Sequence, residues 1–251
     1  MLISVMCGIG VYKMPESIQR GILYLVATPI GNLDDITYRA VKILGSVDLI
    51  AAEDTRKTKI LLDHYTISKP MMSYYSYNEQ ARAPQLIEKL LAGQSIALVS
   101  DAGTPGISDP AFHIVQQALE NAIAIIPIPG PAACIAALIA SGLPTDRFVF
   151  EGFLPLKKGR KTKFESLKSE SRTIIIYESP HRIIKTLTDI HTYLGSRKVV
   201  VARELTKKFE EIVRGSVQSV LIELSKKSPR GEYVVIIEGS TLLSGDTLAS
   251  E

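Results

Sequence analysis

Tryptophan is absent from the 251-residue chain, and cysteine occurs only twice, as Cys7 and Cys134. Two thiols cannot hold a disulfide scaffold together, so the sequence reads as a protein of a reducing, cytoplasmic setting. No apolar run approaches the roughly 18–20 residues needed to cross a bilayer, and no membrane partner is expected. The apolar start Met1–Val11 lacks the basic n-region and cleavage site of a signal peptide and reads as an extension ahead of the first domain. No Gly-x-x-x-x-Gly-Lys-Ser/Thr string occurs, which argues against a P-loop nucleotide. The pair Gly8 and Gly10 precedes the first strand, the wrong side for a dinucleotide fingerprint. No Cys/His cluster has metal-site spacing, so no metal is expected.

What is present is ordinary for a globular protein: 46% apolar residues and 22% charged ones. That composition excludes disorder, collagen-like repeats and coiled coil. At about 150 residues per domain, the length allows two modest domains or one large one. The net charge, 29 − 26 = +3, hides an asymmetry. Residues 1–150 carry 11 basic and 13 acidic side chains, and residues 151–251 carry 18 and 13, so the halves stand at −2 and +5. Lys157, Lys158, Arg160, Lys161 and Lys163 crowd one short stretch of the basic half. Such a cluster is either a solvated loop and helix start or a patch that meets phosphate.

Short, non-alternating apolar runs recur at Ile22–Ala27, Asp48–Ala52, Ser95–Val99 and Ile123–Pro127, as expected of parallel strands covered on both faces. Helical patterns lie between them. Asp34–Asp35 is placed to cap Ile36–Leu44, and Thr55–Tyr65, Glu79–Ala92 and Asp109–Asn121 follow, the last with Pro110 in its first turn. This alternation predicts a parallel α/β sheet in the first half. Later come strands Arg147–Phe153, Thr173–Tyr177, Lys198–Ala202, Phe209–Arg214 and Tyr233–Glu238, with a basic helix after the Gly152–Gly159 connector and helices Pro180–Leu194 and Val217–Leu224. One adjacent strand pair among them predicts a mixed-sheet α+β second domain. The expected organisation is an extension over 1–20, domains over 21–145 and 146–239, and a flexible tail over 240–251.

Ligands of open α/β sheets bind beyond the carboxyl ends of the strands. Three loops expected there are rich in Gly and Pro: Thr28–Asn32, Ser100–Pro110 and Pro127–Ala133. Glycine allows close backbone approach, and proline fixes a loop before its ligand arrives. These loops hold Asp101 and Asp109 but no Lys or Arg. They suit a ligand carrying a cation better than a polyphosphate, and S-adenosylmethionine is one such ligand.

Taken together, Tyr24–Thr37, Ala52-Glu53-Asp54-Thr55-Arg56, Ser100–Pro110, Pro129-Gly130-Pro131, Gly152-Phe153-Leu154-Pro155, Tyr177–Arg182 and Ala202–Thr206 closely resemble the bacterial methyltransferase I family of small-subunit ribosomal RNA. That family belongs to the tetrapyrrole methylase superfamily, with its class III methyltransferase fold. The resemblance runs in order from about Gly21 to Gly239. It implies two α/β domains, a homodimer, and S-adenosylmethionine bound in the cleft between domains. It also implies 2′-O-methylation of a cytidine in the decoding centre of small-subunit (16S) rRNA, or of the 30S subunit that contains it. Cofactor contacts are implied at Ile30, Asp101, Thr104, Ile107, Ala132 and Ala133. Members usually have Gly where Ala111 stands, and many continue into a further C-terminal domain. Other readings are a methylase of a small tetrapyrrole-like substrate and a non-catalytic RNA-binding module that keeps the fold.

Methyl transfer to a ribose hydroxyl needs alignment of oxygen, carbon and sulfur and loss of a proton from a weak acid. Glu53, Asp54 and Arg56, expected at the carboxyl end of the second strand, are candidates for that work. So are Glu178 and His181, which flank Pro180 where a strand meets a helix. The competing structural reading has Asp54 or Thr55 capping the next helix and Glu53 pairing with Arg56. His64, His113 and His191 fall within helical patterns and read as structural. Arg203 ends a strand with Lys207 and Lys208 close behind, and an Arg there can pair with RNA phosphate or stack on a base. Tyr74, Tyr75 and Tyr77 read as a strand edge in a core or dimer interface, with base stacking as the alternative.

Overall fold

The computed structural model describes residues 21–241. The expected extension over 1–20, with Cys7, and all but the first two residues of the expected tail lie outside the described residues. The first sheet contains β1 (Ile22–Val26), β2 (Leu49–Ala52), β3 (Met71–Ser73), β4 (Ile96–Val99) and β5 (Ala124–Ile128). Their spatial order is β3-β2-β4-β1-β5, and every pairing is parallel. Helices α1 (Tyr38–Leu44), α2 (Thr55–His64), α3 (Glu79–Leu91) and α4 (Phe112–Glu120) make the crossovers. Side chains of β1 alternate between two cores: Ile22, Tyr24 and Val26 face one, and Leu23 faces the other. Burial on both faces is what the continuous apolar runs require.

Helix α5 (Ala133–Ile139) leads to the second sheet, made of β6 (Phe148–Phe153), β7 (Thr173–Glu178), β8 (Lys198–Arg203), β9 (Glu211–Ser216) and β10 (Tyr233–Ile237). The order β6-β7-β10-β8-β9 is mixed: β6 runs parallel to β7, and the remaining pairs are antiparallel. Helices α6 (Arg160–Leu167), α7 (Ile183–Leu194) and α8 (Val217–Ser225) contribute Phe164, Leu187, Ile190 and Val220 to the core on one face, opposite Ile174, Ile176, Val199, Val201 and Val235. The other face, Ile175, Val200, Ala202, Val234 and Ile236, packs against Cys134, Ala137 and Leu138 of α5. The α/β first half and the mixed second sheet are as the sequence predicts.

Several element starts differ from expectation, each for a local reason. Thr37, not the Asp34–Asp35 pair, caps α1: its hydroxyl accepts from the Ala40 N–H at 3.1 Å, while Asn32 caps a short 3-10 turn over Leu33–Asp35. Helix α4 starts at Phe112 rather than Asp109 because Ser108 takes the left-handed conformation, φ 68°, and Ala111, at φ −167° and ψ −26°, is not helical. That leaves Asp109 and Pro110 in the loop. Strand β3 and helix α5 carry no periodic pattern of their own and are not expected from the sequence.

Candidate active site

The order of the first sheet sends the chain from β1 toward one edge and from β4 toward the other, so the loops after these adjacent strands part at their carboxyl ends. A two-bond bridge ties the loops together at the root: the Thr28 N–H donates to the Gly103 carbonyl at 2.8 Å, and the Gly103 N–H donates back at 3.0 Å. Thr104 Oγ1 donates to the Pro131 carbonyl at 3.0 Å, joining the third Gly-Pro loop to the second. The first loop also meets the second domain. The Asn32 N–H donates to Thr206 Oγ1 at 3.1 Å, and a Cβ on Gly31 would lie 2.4 Å from the Lys207 side chain. Only glycine permits that approach.

Between the two sheets lies a cleft of about 450 Å³, within the usual range of roughly 300–1,000 Å³ for small-molecule sites. All six residues implied as cofactor contacts line it: Ile30, Asp101, Thr104, Ile107, Ala132 and Ala133. The opposite wall is Tyr177, Glu178, Ala202, Leu205 and Val234 from the second sheet and its loops. Burial, then the neighbouring Cys134, pushes the Tyr177 hydroxyl up, so the phenol stays neutral. Its oxygen accepts from the Cys134 N–H at 3.2 Å and anchors the start of α5.

Three carboxylates gather on the first-sheet side. Asp101 Oδ1 accepts from the Asp54 N–H at 2.9 Å, and Oδ2 pairs with Lys57 Nζ at 2.7 Å. The Asp101 N–H in turn donates to Glu53 Oε2 at 3.1 Å. Asp109, which the sequence placed in a loop of interest but not among the site residues, lines the same cleft. Burial, with the Glu53 charge adding to it, pushes its carboxyl up to about 6.

Among the catalytic candidates, the structure separates Glu53 and Glu178, which line the cleft, from Asp54, Arg56 and His181, which do not. Asp54 caps α2 through the Arg56 N–H and holds the Arg56 guanidinium in a fork at 3.0 and 2.7 Å. That fork, first through its side-chain bonds, keeps the Asp54 carboxyl well below the usual range. Arg56 therefore pairs with Asp54, not with Glu53. His181 is an exposed turn residue. Glu178 has no exposed side-chain surface: Arg182, the Ser179 N–H and the Thr186 hydroxyl bind its two oxygens at 3.1, 2.8 and 2.6 Å.

None of the six RNA-binding candidates lines the cleft. Arg160 is buried, 7% exposed, and its guanidinium is taken up by Asp189, Thr186 and the Pro155 carbonyl. Lys161 pairs with Glu165 and Lys163 with Glu151, while Lys157 and Lys158 are exposed and form no ion pair among the described residues. Arg203 pairs with Glu211 at 3.4 Å and donates to the Arg230 carbonyl. Lys207, which follows it, does reach the cleft wall. Burial works against its charge, but bonds from Glu232 and Glu204 outweigh that and raise its pKa. Tyr74 is buried in the first-sheet core, and Tyr75 and Tyr77 are exposed. Among the described residues, no group of three His, Cys, Asp or Glu could hold a metal, and no helix is long and apolar enough to cross a membrane.

Comparison with known proteins agrees with this geometry. The model of the tetrapyrrole (corrin/porphyrin) methylases matches residues 22–221. A ribosomal RNA small subunit methyltransferase I of Synechocystis sp. is 56% identical over 223 residues, covering 88% of this chain and 80% of the relative. The protein of that name from Thermotoga maritima is 46% identical, over 87% of this chain and 99% of the relative. Among solved structures, diphthine synthase superposes with a TM-score of 0.70 at 12% identity, over 87% of this chain and 90% of that one. A cobalt precorrin-4 methyltransferase gives 0.67 at 17%, over 87% and 95%. The chain belongs to the tetrapyrrole methylase family and, within it, to the ribosomal RNA small subunit methyltransferase I group.

Proposed function

We propose that this chain is an S-adenosylmethionine-dependent methyltransferase that 2′-O-methylates a cytidine ribose in the decoding centre of small-subunit rRNA. The observation that carries the cofactor is the cleft itself. It gathers all six implied contacts around small side chains, with three carboxylates on the first-sheet side and no Lys or Arg in the three Gly-Pro loops. That donor set fits a sulfonium with an amino group and ribose hydroxyls, and it does not fit a polyphosphate. A related uroporphyrin-III C-methyltransferase has been solved with S-adenosylhomocysteine, at 17% identity and a TM-score of 0.61.

When bound, S-adenosylmethionine supplies an electrophilic methyl group for in-line transfer. Ile30, Ala132 and Ala133 give the apolar walls, and Asp101, held by Lys57 and the Asp54 N–H, offers a fixed negative charge. Glu53 is the catalytic candidate that faces the cleft and is not enclosed, and we assign it the 2′-hydroxyl proton. Asp109, ionised above a pH of about 6, adds charge against the cation. Lys157 and Lys158 are the members of the basic cluster available to RNA phosphate. Asp54, Arg56, Glu178 and His181 are assigned to shaping the site. Arg160 and Arg203 are engaged within the chain, and Lys161 and Lys163 reach phosphate by releasing Glu165 and Glu151.

The same proposal includes a homodimer in the cytoplasm, either rRNA or the assembled small subunit as substrate, and a domain division near residue 145 with α5 reaching across to the second sheet. The test is to incubate the chain with methyl-labelled S-adenosylmethionine and unmethylated small subunits, then digest the rRNA to nucleosides for mass spectrometry. Label in 2′-O-methylcytidine is expected. Label on a base, or transfer only to a small tetrapyrrole, would overturn the assignment.

A further inference from the structure

Strand β6 breaks its register with β7 beside the cleft. Phe150 pairs with Ile175 and Phe153 with Tyr177, so three steps on β6 match two on β7. One extra residue is accommodated at Glu151-Gly152, where Gly152 takes φ 57°. A Cβ there would press on Ser108 Oγ of the opposite loop at 3.1 Å. Because strand side chains alternate, one inserted residue moves every later side chain to the other face. Phe153 is thereby turned onto the face of Phe150 and Tyr177, at the lip of the cleft, with 56% of its surface exposed. Its ring meets the Tyr177 ring edge-on, centroids 5.7 Å apart.

The backbone beyond it is clamped. Arg182 donates to the Leu154 carbonyl at 2.6 Å, and Arg160 donates to the Pro155 carbonyl at 3.1 Å. Both arginines are themselves held, by Glu178 and by Asp189 with Thr186. Leu154 is buried in the second-sheet core. A large apolar ring is thus presented to solvent on a rigid mount, four and five residues before the exposed Lys157 and Lys158.

We propose that Phe153 is the platform on which the base of the target nucleotide stacks, with Lys157 and Lys158 taking phosphates of the adjoining strand. RNA is read most readily where its bases are unstacked, and a splayed base is held by an aromatic face and neighbouring cations. This deepens the rRNA reading and rests on it.

The experiment measures methyl transfer to unmethylated small ribosomal subunits by the wild-type chain and by F153A, F153L and F153Y, with S-adenosylmethionine affinity by calorimetry. Replacing a stacked aromatic lowers kcat/KM by about 5- to 150-fold, so F153A should fall in that range. F153L keeps apolar contact with Tyr177 but has no flat face, and should lose as much. F153Y should stay within about threefold of wild type. The loss should sit in KM, as for binding common to ground and transition states, and cofactor affinity should not move. Unchanged transfer by F153A, a parallel loss of cofactor affinity, or no rescue by F153Y would overturn the proposal. No transfer to rRNA by the wild-type chain would instead refute the rRNA reading and this inference with it.

Discussion

The two walls of the cleft are built on opposite principles. The first-sheet wall is loop backbone and small side chains, joined by main-chain bonds such as Thr28 to Gly103 and carrying carboxylates at its surface. The second-sheet wall, largely apolar at its surface, is braced from behind by a frame of paired charges: Glu178 with Arg182, Arg160 with Asp189, and Lys207 with Glu204 and Glu232. One wall brings pre-fixed backbone close to a small ligand, and the other holds its shape against a large one. This division suits an enzyme that takes a small donor on one side and RNA on the other.

Breaking the frame should have the largest effect. Glu178→Ala strips the buried partners of Arg182 and Thr186, and removing one member of a buried pair typically costs about 3–5 kcal/mol. Urea denaturation should show that loss, and a change below about 1 kcal/mol would mean the frame is not what holds the wall. On the other side, Asp101→Ala should weaken S-adenosylmethionine binding by about 10- to 100-fold, the range for hydrogen bonds to a charged group. Its unfolding midpoint should stay near wild type. Calorimetry checks the first, and retained affinity would remove Asp101 from the donor wall.

Asp109 sharpens the contrast through pH. Its folded-state pKa, about 6, lies above the ordinary carboxyl value of 3.8. The folded chain therefore keeps the proton that the unfolded chain gives up, and this contribution to stability is lost as pH rises through about 6. Asp109→Asn should raise the melting temperature at pH 8 relative to pH 4. Discounted for partial exposure, the gain is about 1 kcal/mol, or ~2–4 °C. Cofactor affinity should rise through pH 6 in the wild type and stay flat in the variant.

The smallest effect concerns the outer edge. Neutralising Lys157 and Lys158 should lower the slope of log affinity for single-stranded rRNA against log salt by about 1.4, at roughly 0.7 per phosphate contact. Lys161→Gln and Lys163→Gln should do less, because Glu165 and Glu151 already hold those ammonium groups. Equal effects at all four positions would mean the ion pairs open on binding.

The same contrast explains what could be read from the sequence. The loops of the donor wall are legible because Gly, Pro and buried β-runs are local signals, while Ile30, Asp101 and Ala132 as cofactor contacts are what the family resemblance implies. Asp109 is legible as a loop acid, but its place in the cleft ahead of α4 is not, because a left-handed Ser108, rather than any residue pattern, delays α4 to Phe112. The frame was not legible. Arg160 looked like one more cation in a basic cluster, and its partners Thr186 and Asp189 lie on α7, 26 and 29 residues away. Likewise Phe153 reaches the cleft only through the bulge at Gly152, and the resemblance marked its motif without giving the ring a direction. Strand β3 and the Ala-rich α5 have too little periodicity to stand out, and their place comes from packing on β2 and on the second sheet.

The most direct measurement is a crystal structure of the chain with S-adenosylhomocysteine bound. The adenosyl and homocysteine groups should lie against Ile30, Thr104, Ala132 and Ala133, with Asp101 in contact and the sulfur open toward the lip that carries Phe153. Density for the ligand outside this cleft, or against the Arg160 frame, would contradict the division of labour between the two walls.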